Sequence, residues 1–310
     1  MASYSSLSVT QKCKRARLFR NAMKGVKRST DALVFGRAYH SCIENKDIQS
    51  GVDILKEYNM DKDIPLLKEM YERFMMFIIK NKIEILDNEI SFCVNTDIGN
   101  YEGVIDAILK WNDEIYLGEF KTAKYITYDH VPIDAQITSY LWACDKLNMY
   151  NPKGLIWIAN KKALDKEPLV LKNGHLSVAK NQGVSYSTYL AKAQEIYGED
   201  LPPQVEDYLQ WLKQNDNPSI VMVVTNRTTR QKNDYENILT ELMLEESSLM
   251  EYYKENGLVE SLRICACLPD KACMQSCQYK DICLATYQDE GLTDEDIQVY
   301  IDGLKEGGNE

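Results

Sequence analysis

The apolar positions of this chain change period several times, and each change marks an element. From 46 to 85 they recur at helical spacing, most clearly between Leu66 and Phe77, which predicts helices packed ahead of a sheet. The segment 32–44 has the same period and sets Gly36, His40 and Glu44 at successive i+4 positions on one face, with Gly36 allowing a close backbone approach. Stretches rich in Ile, Val, Leu, Tyr and Trp follow at 85–94, 103–111 and 115–121 and read as strands. Helical spacing returns over 133–144, and 154–159 is a short, wholly apolar strand. Farther on, Asn173-Gly174 suits a hairpin turn, Pro202-Pro203 opens a helix around 205–214, and 219–225 is a short strand. A long helix then runs to about residue 256 with Ile238, Leu239, Leu242 and Met243 facing inward, and Thr293 starts a last helix. The succession predicts an α/β fold, a mixed β-sheet flanked by helices with helical additions at both ends.

The hairpin at 103–121 carries the chemistry. Asn112-Asp113 suits a two-residue turn, so Trp111 pairs with Glu114; counting back sets Asp106 opposite Glu119, with β-carbons about 5 Å apart. Strand alternation turns Lys121 to the same face as Glu119. Two close carboxylates repel unless a cation lies between them, and oxygen donors favour Mg²⁺ or Mn²⁺. Such an ion activates water and offsets charge building on a phosphate, while an adjacent ammonium orients the water or neutralises the oxyanion. An isolated E-x-K is commonly a surface ion pair; a polar triad inside an apolar hairpin calls for more. His40 can serve as a further ligand or hold a phosphate, although a lone helical histidine is more often a satisfied core residue. Gln136 and Tyr140 share a helical face and can reach phosphate or water, although alone they fit the polar side of an amphipathic helix.

Taken in order, Gly36-x-x-x-His40, Gly103-x-x-Asp106, Glu119-x-Lys121-Thr122 and Gln136-x-x-x-Tyr140 resemble the RecB-like branch of the PD-(D/E)XK nuclease superfamily. Relatives of that kind include the AddB nuclease domain, CRISPR adaptation nucleases and phage recombination exonucleases. The resemblance covers about half of the chain and implies a restriction-endonuclease-like core. It implies that His40, Asp106 and Glu119 bind the metal, that Lys121 is catalytic with Asp106 and Glu119, and that Gln136 and Tyr140 support the substrate. Ile105 stands where the superfamily name has proline.

Five of the nine cysteines, Cys265, Cys267, Cys273, Cys277 and Cys283, crowd into one short stretch, which points to a metal centre. From the residues alone, Cys₄ zinc and an iron-sulfur cluster both fit. The resemblance implies a 4Fe-4S cluster held by Cys13 together with Cys273, Cys277 and Cys283. The Cys273-x₃-Cys277 spacing is one residue longer than usual in that branch, which keeps Cys267 and Cys265 as substitutes. Cys42, Cys93 and Cys144 sit in apolar surroundings and read as core residues.

A net charge of −11 is unusual for a partner of phosphates, but residues 1–30 contain no Asp or Glu. On a helix Arg17, Arg20, Lys24 and Lys27 would share a face, a candidate DNA track beside Cys13 as against a solvated face, and Arg227 and Arg230 could equally reach DNA or serve as solvated caps. No run is long enough to cross a membrane, and neither an apolar leader nor an even cysteine count suggests secretion, so the expected compartment is the cytoplasm, that of the host if the chain is phage-encoded. The expected organisation is a basic N-terminal helix with the first cluster cysteine (1–30), a nuclease core (31–160), the rest of the sheet with a helical annex (161–260), a cysteine cluster (261–288) and an acidic tail (289–310). The expected activity is divalent-metal-dependent DNA hydrolysis, in the form of an exonuclease acting on linear ends and working with an annealing protein or helicase in recombination. The rival readings are a catalytically silent nuclease-fold DNA-binding scaffold and a zinc-cluster regulatory protein.

Overall fold

Alternating strands and amphipathic helices assemble into a mixed sheet covered on both faces. The computed structural model describes residues 2–23, 30–164, 166–215, 218–265, 273, 277, 279–288 and 291–306. Six strands, β1 (Ala2–Ser3), β2 (Glu84–Thr96), β3 (Gly99–Trp111), β4 (Glu114–Ala123), β5 (Leu155–Lys161) and β6 (Ile220–Thr225), form one sheet. β2, β3 and β4 are successive antiparallel neighbours, β5 lies parallel to β4, and β6 is antiparallel to β5. The two residues of β1 run parallel to the start of β3 at Tyr101 and Glu102.

The helices are α1 (Tyr4–Lys12), α2 (Lys14–Ala22), α3 (Asp31–Asn45), α4 (Ile48–Glu57), α5 (Ile64–Lys80), α6 (Ala135–Leu147), α7 (Tyr186–Tyr197), α8 (Pro203–Gln214), α9 (Thr229–Ile264), α10 (Lys280–Gln288) and α11 (Asp294–Glu306). One face of the sheet packs Ile105, Ile108, Leu117 and Trp157 against α6 and α9. The opposite face packs Ala107, Leu109, Phe120, Ile156 and Ile158 against α3, α4 and α5. A third core lies outside the sheet, where Leu18 and Phe19 of α2 meet Leu258, Leu262, Cys265, Tyr279, Ile282 and Ile301. There the two ends of the chain are fastened together. A fourth core joins α7 and α8 beside a tight turn whose Gly174 has φ of +81°.

α9 is broken at Gly257, where φ is +80°, a conformation only glycine takes without strain. A Cβ there would lie 2.1 Å from the Asp294 carboxylate, which accepts the Val259 N–H at 2.7 Å and restarts the helix. The inward stripe of α9 also differs from expectation. Leu239 and Met243 are buried and Leu242 packs at the margin, but Ile238 is 48% exposed, because it lies about 100° round the helix from Leu239. Cys93 is likewise exposed rather than core: Phe92 and Val94 turn inward, and β2 is an edge strand with an uncovered outer face. Cys42 and Cys144 are buried as expected. A Cβ on Gly36 would meet no atom within 4 Å, so no close backbone approach explains that glycine.

Candidate active site

Asn112 and Asp113 both have positive φ, 50° and 61°, so they make the two-residue turn that sets the hairpin register. Trp111 pairs with Glu114, and the ladder runs back to Ala107 opposite Gly118. Asp106 and Glu119 stand one step farther on, and there the ladder ends. The Phe120 N–H donates to Asp106 Oδ2 at 2.8 Å. Alternation slips at the same point: Ile105 belongs to one core and Ala107, two residues on, to the other. β3 does not acquire its other neighbour, β1, until Glu102 and Tyr101. The sheet therefore splits at Asp106, and a largely buried carboxylate pair stands at the split.

β4 stays fixed through the split because Glu119, Phe120 and Lys121 pair with Trp157, Ile158 and Ala159 of β5. Glu119 and Lys121 form an ion pair. Lys121 Nζ donates to Gln136 Oε1 at 3.4 Å, and Gln136 Nε2 donates to the Tyr140 hydroxyl at 2.8 Å. The Asp134 side chain caps α6 by accepting the Ile137 N–H, which orients that face of the helix. A cleft of about 240 Å³ opens beside these groups, lined by Glu119, Lys121, Tyr125, His130, Gln136 and Trp157. A larger cavity of about 630 Å³ lies against α2 and α9, but its Arg17 and Glu246 already neutralise each other, so size does not mark the reactive centre.

Burial and close like charges set the electrostatics of the site. Burial pushes Asp106 up to about 6, with Phe120 and Lys121 opposing the shift. Burial and then the neighbouring Asp106 push Glu119 up to about 7. Glu119 is 1% exposed, and its Oε2 has no hydrogen-bond partner. Burial works against the Lys121 charge, but Glu119 outweighs it and the pKa is raised. Burial lowers that of His40, leaving a neutral imidazole suited to coordination. Its Nδ1 lies 3.8 Å from Asp106 Oδ1 and 4.0 Å from Glu89 Oε1. An orphaned buried oxygen, two carboxyls above their ordinary range and a neutral histidine fit a hard divalent ion.

No protein-family model and no curated protein matches this chain. The local geometry therefore bears the whole weight of a functional reading.

All five residues expected at the catalytic centre, Asp106, Glu119, Lys121, Gln136 and Tyr140, meet here, and His40 joins them from α3. The cysteines also converge. Burial raises the Cys277 thiol, and its neighbours Cys273, Cys13 and Cys283 add to the shift. Cys13 Sγ accepts the Ala16 N–H at the start of α2, and Arg15 donates to Cys283 Sγ at 3.4 Å and to the Leu262 carbonyl at 2.8 Å. Cys265 is buried in the third core, and Cys267 lies outside the described residues.

The arginines depart from expectation. Arg17 is buried and paired with Glu246 at 2.7 Å, so it faces away from any exposed track, whereas Arg20 is exposed and donates to the Ser5 carbonyl. Lys24 and Lys27 lie outside the described residues. Arg227 is 4% exposed and donates to Thr138, Thr225, Val131, Asp134 and Asn226, so it holds the fold rather than reaching outward; Arg230 is exposed beside Asp234. Sequence reasoning missed Glu89 and the cleft residues Tyr125, His130 and Trp157. A signal for Glu89 existed, because Thr96 pairs with Gly99 and counting back from that turn sets Glu89 opposite Asp106.

Proposed function

We propose that this chain is a divalent-metal-dependent DNA nuclease of the RecB-like PD-(D/E)XK type, an exonuclease that processes DNA ends in recombination, repair or phage replication. The observation that carries the reading is the Asp106 and Glu119 pair at the sheet split, with Lys121 beside it. The helix, three antiparallel strands, helix and parallel strand given by α3, β2–β4, α6 and β5 also support a nuclease core of that type. His40, Asp106 and Glu119 would hold Mg²⁺ or Mn²⁺. When bound, such an ion supplies a more acidic water and positive charge opposite the phosphate.

The chain's own groups do the rest. Lys121 carries a full ammonium into the cleft, where it offsets negative charge as water oxygen joins phosphorus and a strand oxygen leaves. Gln136 fixes where that ammonium points. Burial raises the Tyr140 hydroxyl far above its ordinary value, so it stays protonated as a donor to phosphate or water. Cys13, Cys273, Cys277 and Cys283 would hold a structural 4Fe-4S cluster beside the third core, to which Cys277 and Cys283 belong.

End-labelled linear DNA and closed circular DNA, each with Mg²⁺ or Mn²⁺, test the activity. The expected result is loss of label from linear DNA with circles left intact. Asp106→Ala and Lys121→Ala should each slow the reaction by roughly 10²–10⁴-fold with the fold retained. Near-parental rates in either variant would overturn the assignment. A gel shift without cleavage under any metal would instead make the chain a nuclease-fold binding protein.

A further inference from the structure

Glu89 belongs to no motif named so far, yet it sits at the centre of the chemistry. The β2–β3 register pairs Asn88 with Ala107 and Ile90 with Ile105, so Glu89 stands opposite Asp106. Asp106 in turn stands one step beyond the last β3–β4 pair, next to Glu119. Three carboxylates from three adjacent strands thus form one row with Asp106 in the middle. Ligand atoms of His40, Glu89 and Asp106 all lie within 4.8 Å of one another.

Distance separates this group from an ordinary hydrogen-bonded cluster. Asp106 and Glu89 lie 3.8 and 4.0 Å from His40 Nδ1, too far for hydrogen bonds. Two ligands bound about 2.1 Å from one octahedral ion are about 3.0 Å apart when adjacent and about 4.2 Å when opposite, and both separations fall inside that range. A second, independent observation is Glu119 itself, whose Oε2 is buried without a hydrogen-bond partner. Glu89 also has φ of +52°, an uncommon conformation for a residue with a side chain. Glycine takes that conformation freely, so a glutamate here sacrifices local stability for its carboxylate.

We propose that Glu89 is a direct ligand of the divalent cation, a fourth donor from β2 that completes a His40, Glu89, Asp106 and Glu119 set and lets the ion bind before DNA arrives. The proposal rests on the metal-dependent reading above. The edge position of β2 leaves this donor at the rim, where the ion would enter.

Mn²⁺ titration followed by electron paramagnetic resonance, without DNA, reads the ligand directly. The parent chain should bind Mn²⁺, and Glu89→Gln should weaken binding at least tenfold, in the same class as Asp106→Asn. Glu44→Gln, one helical turn from His40, controls for charge alone and should change affinity less than twofold. Glu89→Gly adds a readout that a structural role would not give: a higher melting temperature of the metal-free protein together with weaker Mn²⁺ binding. If Glu89→Gln behaves like Glu44→Gln, Glu89 is not a ligand and the metal reading survives through Asp106. If the parent binds no Mn²⁺, both fail.

Discussion

A buried carboxyl that titrates near neutrality is a local liability, and Asp106 and Glu119 are two of them side by side. Both pKa values are raised in the fold, to about 6 and about 7, so between roughly pH 4 and 7 the folded chain keeps protons that the unfolded chain has released. Their contribution therefore falls as pH rises through that window and stays low above it. Asp106→Asn keeps an acceptor for the Phe120 N–H and removes one charge. Without divalent metal it should be more stable than the parent at pH 8 by roughly 1–3 kcal/mol, with the gap closing only as the pH falls to about 4. Thermal melts of both proteins at the two pH values check this, and a gap that widens toward acid would contradict it. With Mg²⁺ the parent should recover its deficit at pH 8 and the variant should not. These residues were legible in the sequence because a two-residue turn fixes the count on both strands. Glu89 was missed although the count from the Thr96–Gly99 turn reaches it before the register shift between Ile85 and Asp87. Arg17 was misread because nothing local tells a buried guanidinium from an exposed one; its partner Glu246 is 229 residues away.

The elements that carry the site are positioned by junctions that have no part in the chemistry. Arg227 joins the β6–α9 connection to the start of α6 through Thr138 Oγ1 and the carbonyls of Val131 and Asp134. Arg227→Ala would remove the guanidinium donors from this junction, leaving the Asp134 carbonyl only its bonds from Thr138, at a cost of about 2–4 kcal/mol in urea unfolding. It should also depress nuclease activity, because the same stretch begins the helix that bears Gln136 and Tyr140. A variant with parental stability would show that this junction does not fix α6. Gly257→Ala forces a side chain into a positive-φ position already filled by Asp294, and should lower the melting temperature by several degrees. The helix start at Thr293 was readable from the chain because a cap and its helix are neighbours. The end of the helix near residue 256 was read as well, but its restart after Gly257 was not, because that depends on Asp294 in another helix.

Across the whole molecule, the sheet holds the reactive groups and the third core fastens the chain ends. If Cys13 and Cys283 share a cluster, the cross-link closes a loop of roughly 270 residues, worth about 5 kcal/mol by chain entropy alone. Anaerobically purified protein should then be brown, with iron and sulfide in near-equal amounts. Cys13→Ser should lose most of that iron and melt earlier, while colourless parent protein carrying one zinc would defeat the cluster. The same feature orders events during synthesis. Arg15 reaches the carbonyl of Leu262 across 247 residues. At about 5–20 residues per second, α2 waits on the order of 12–50 s after leaving the ribosome for its partner. The sheet, α3 and α6 can assemble in that interval while the apolar face of Leu18 and Phe19 stands open. Truncation between β6 and α9 would leave the sheet complete on a chain whose α2 lacks the α9 residues it packs against.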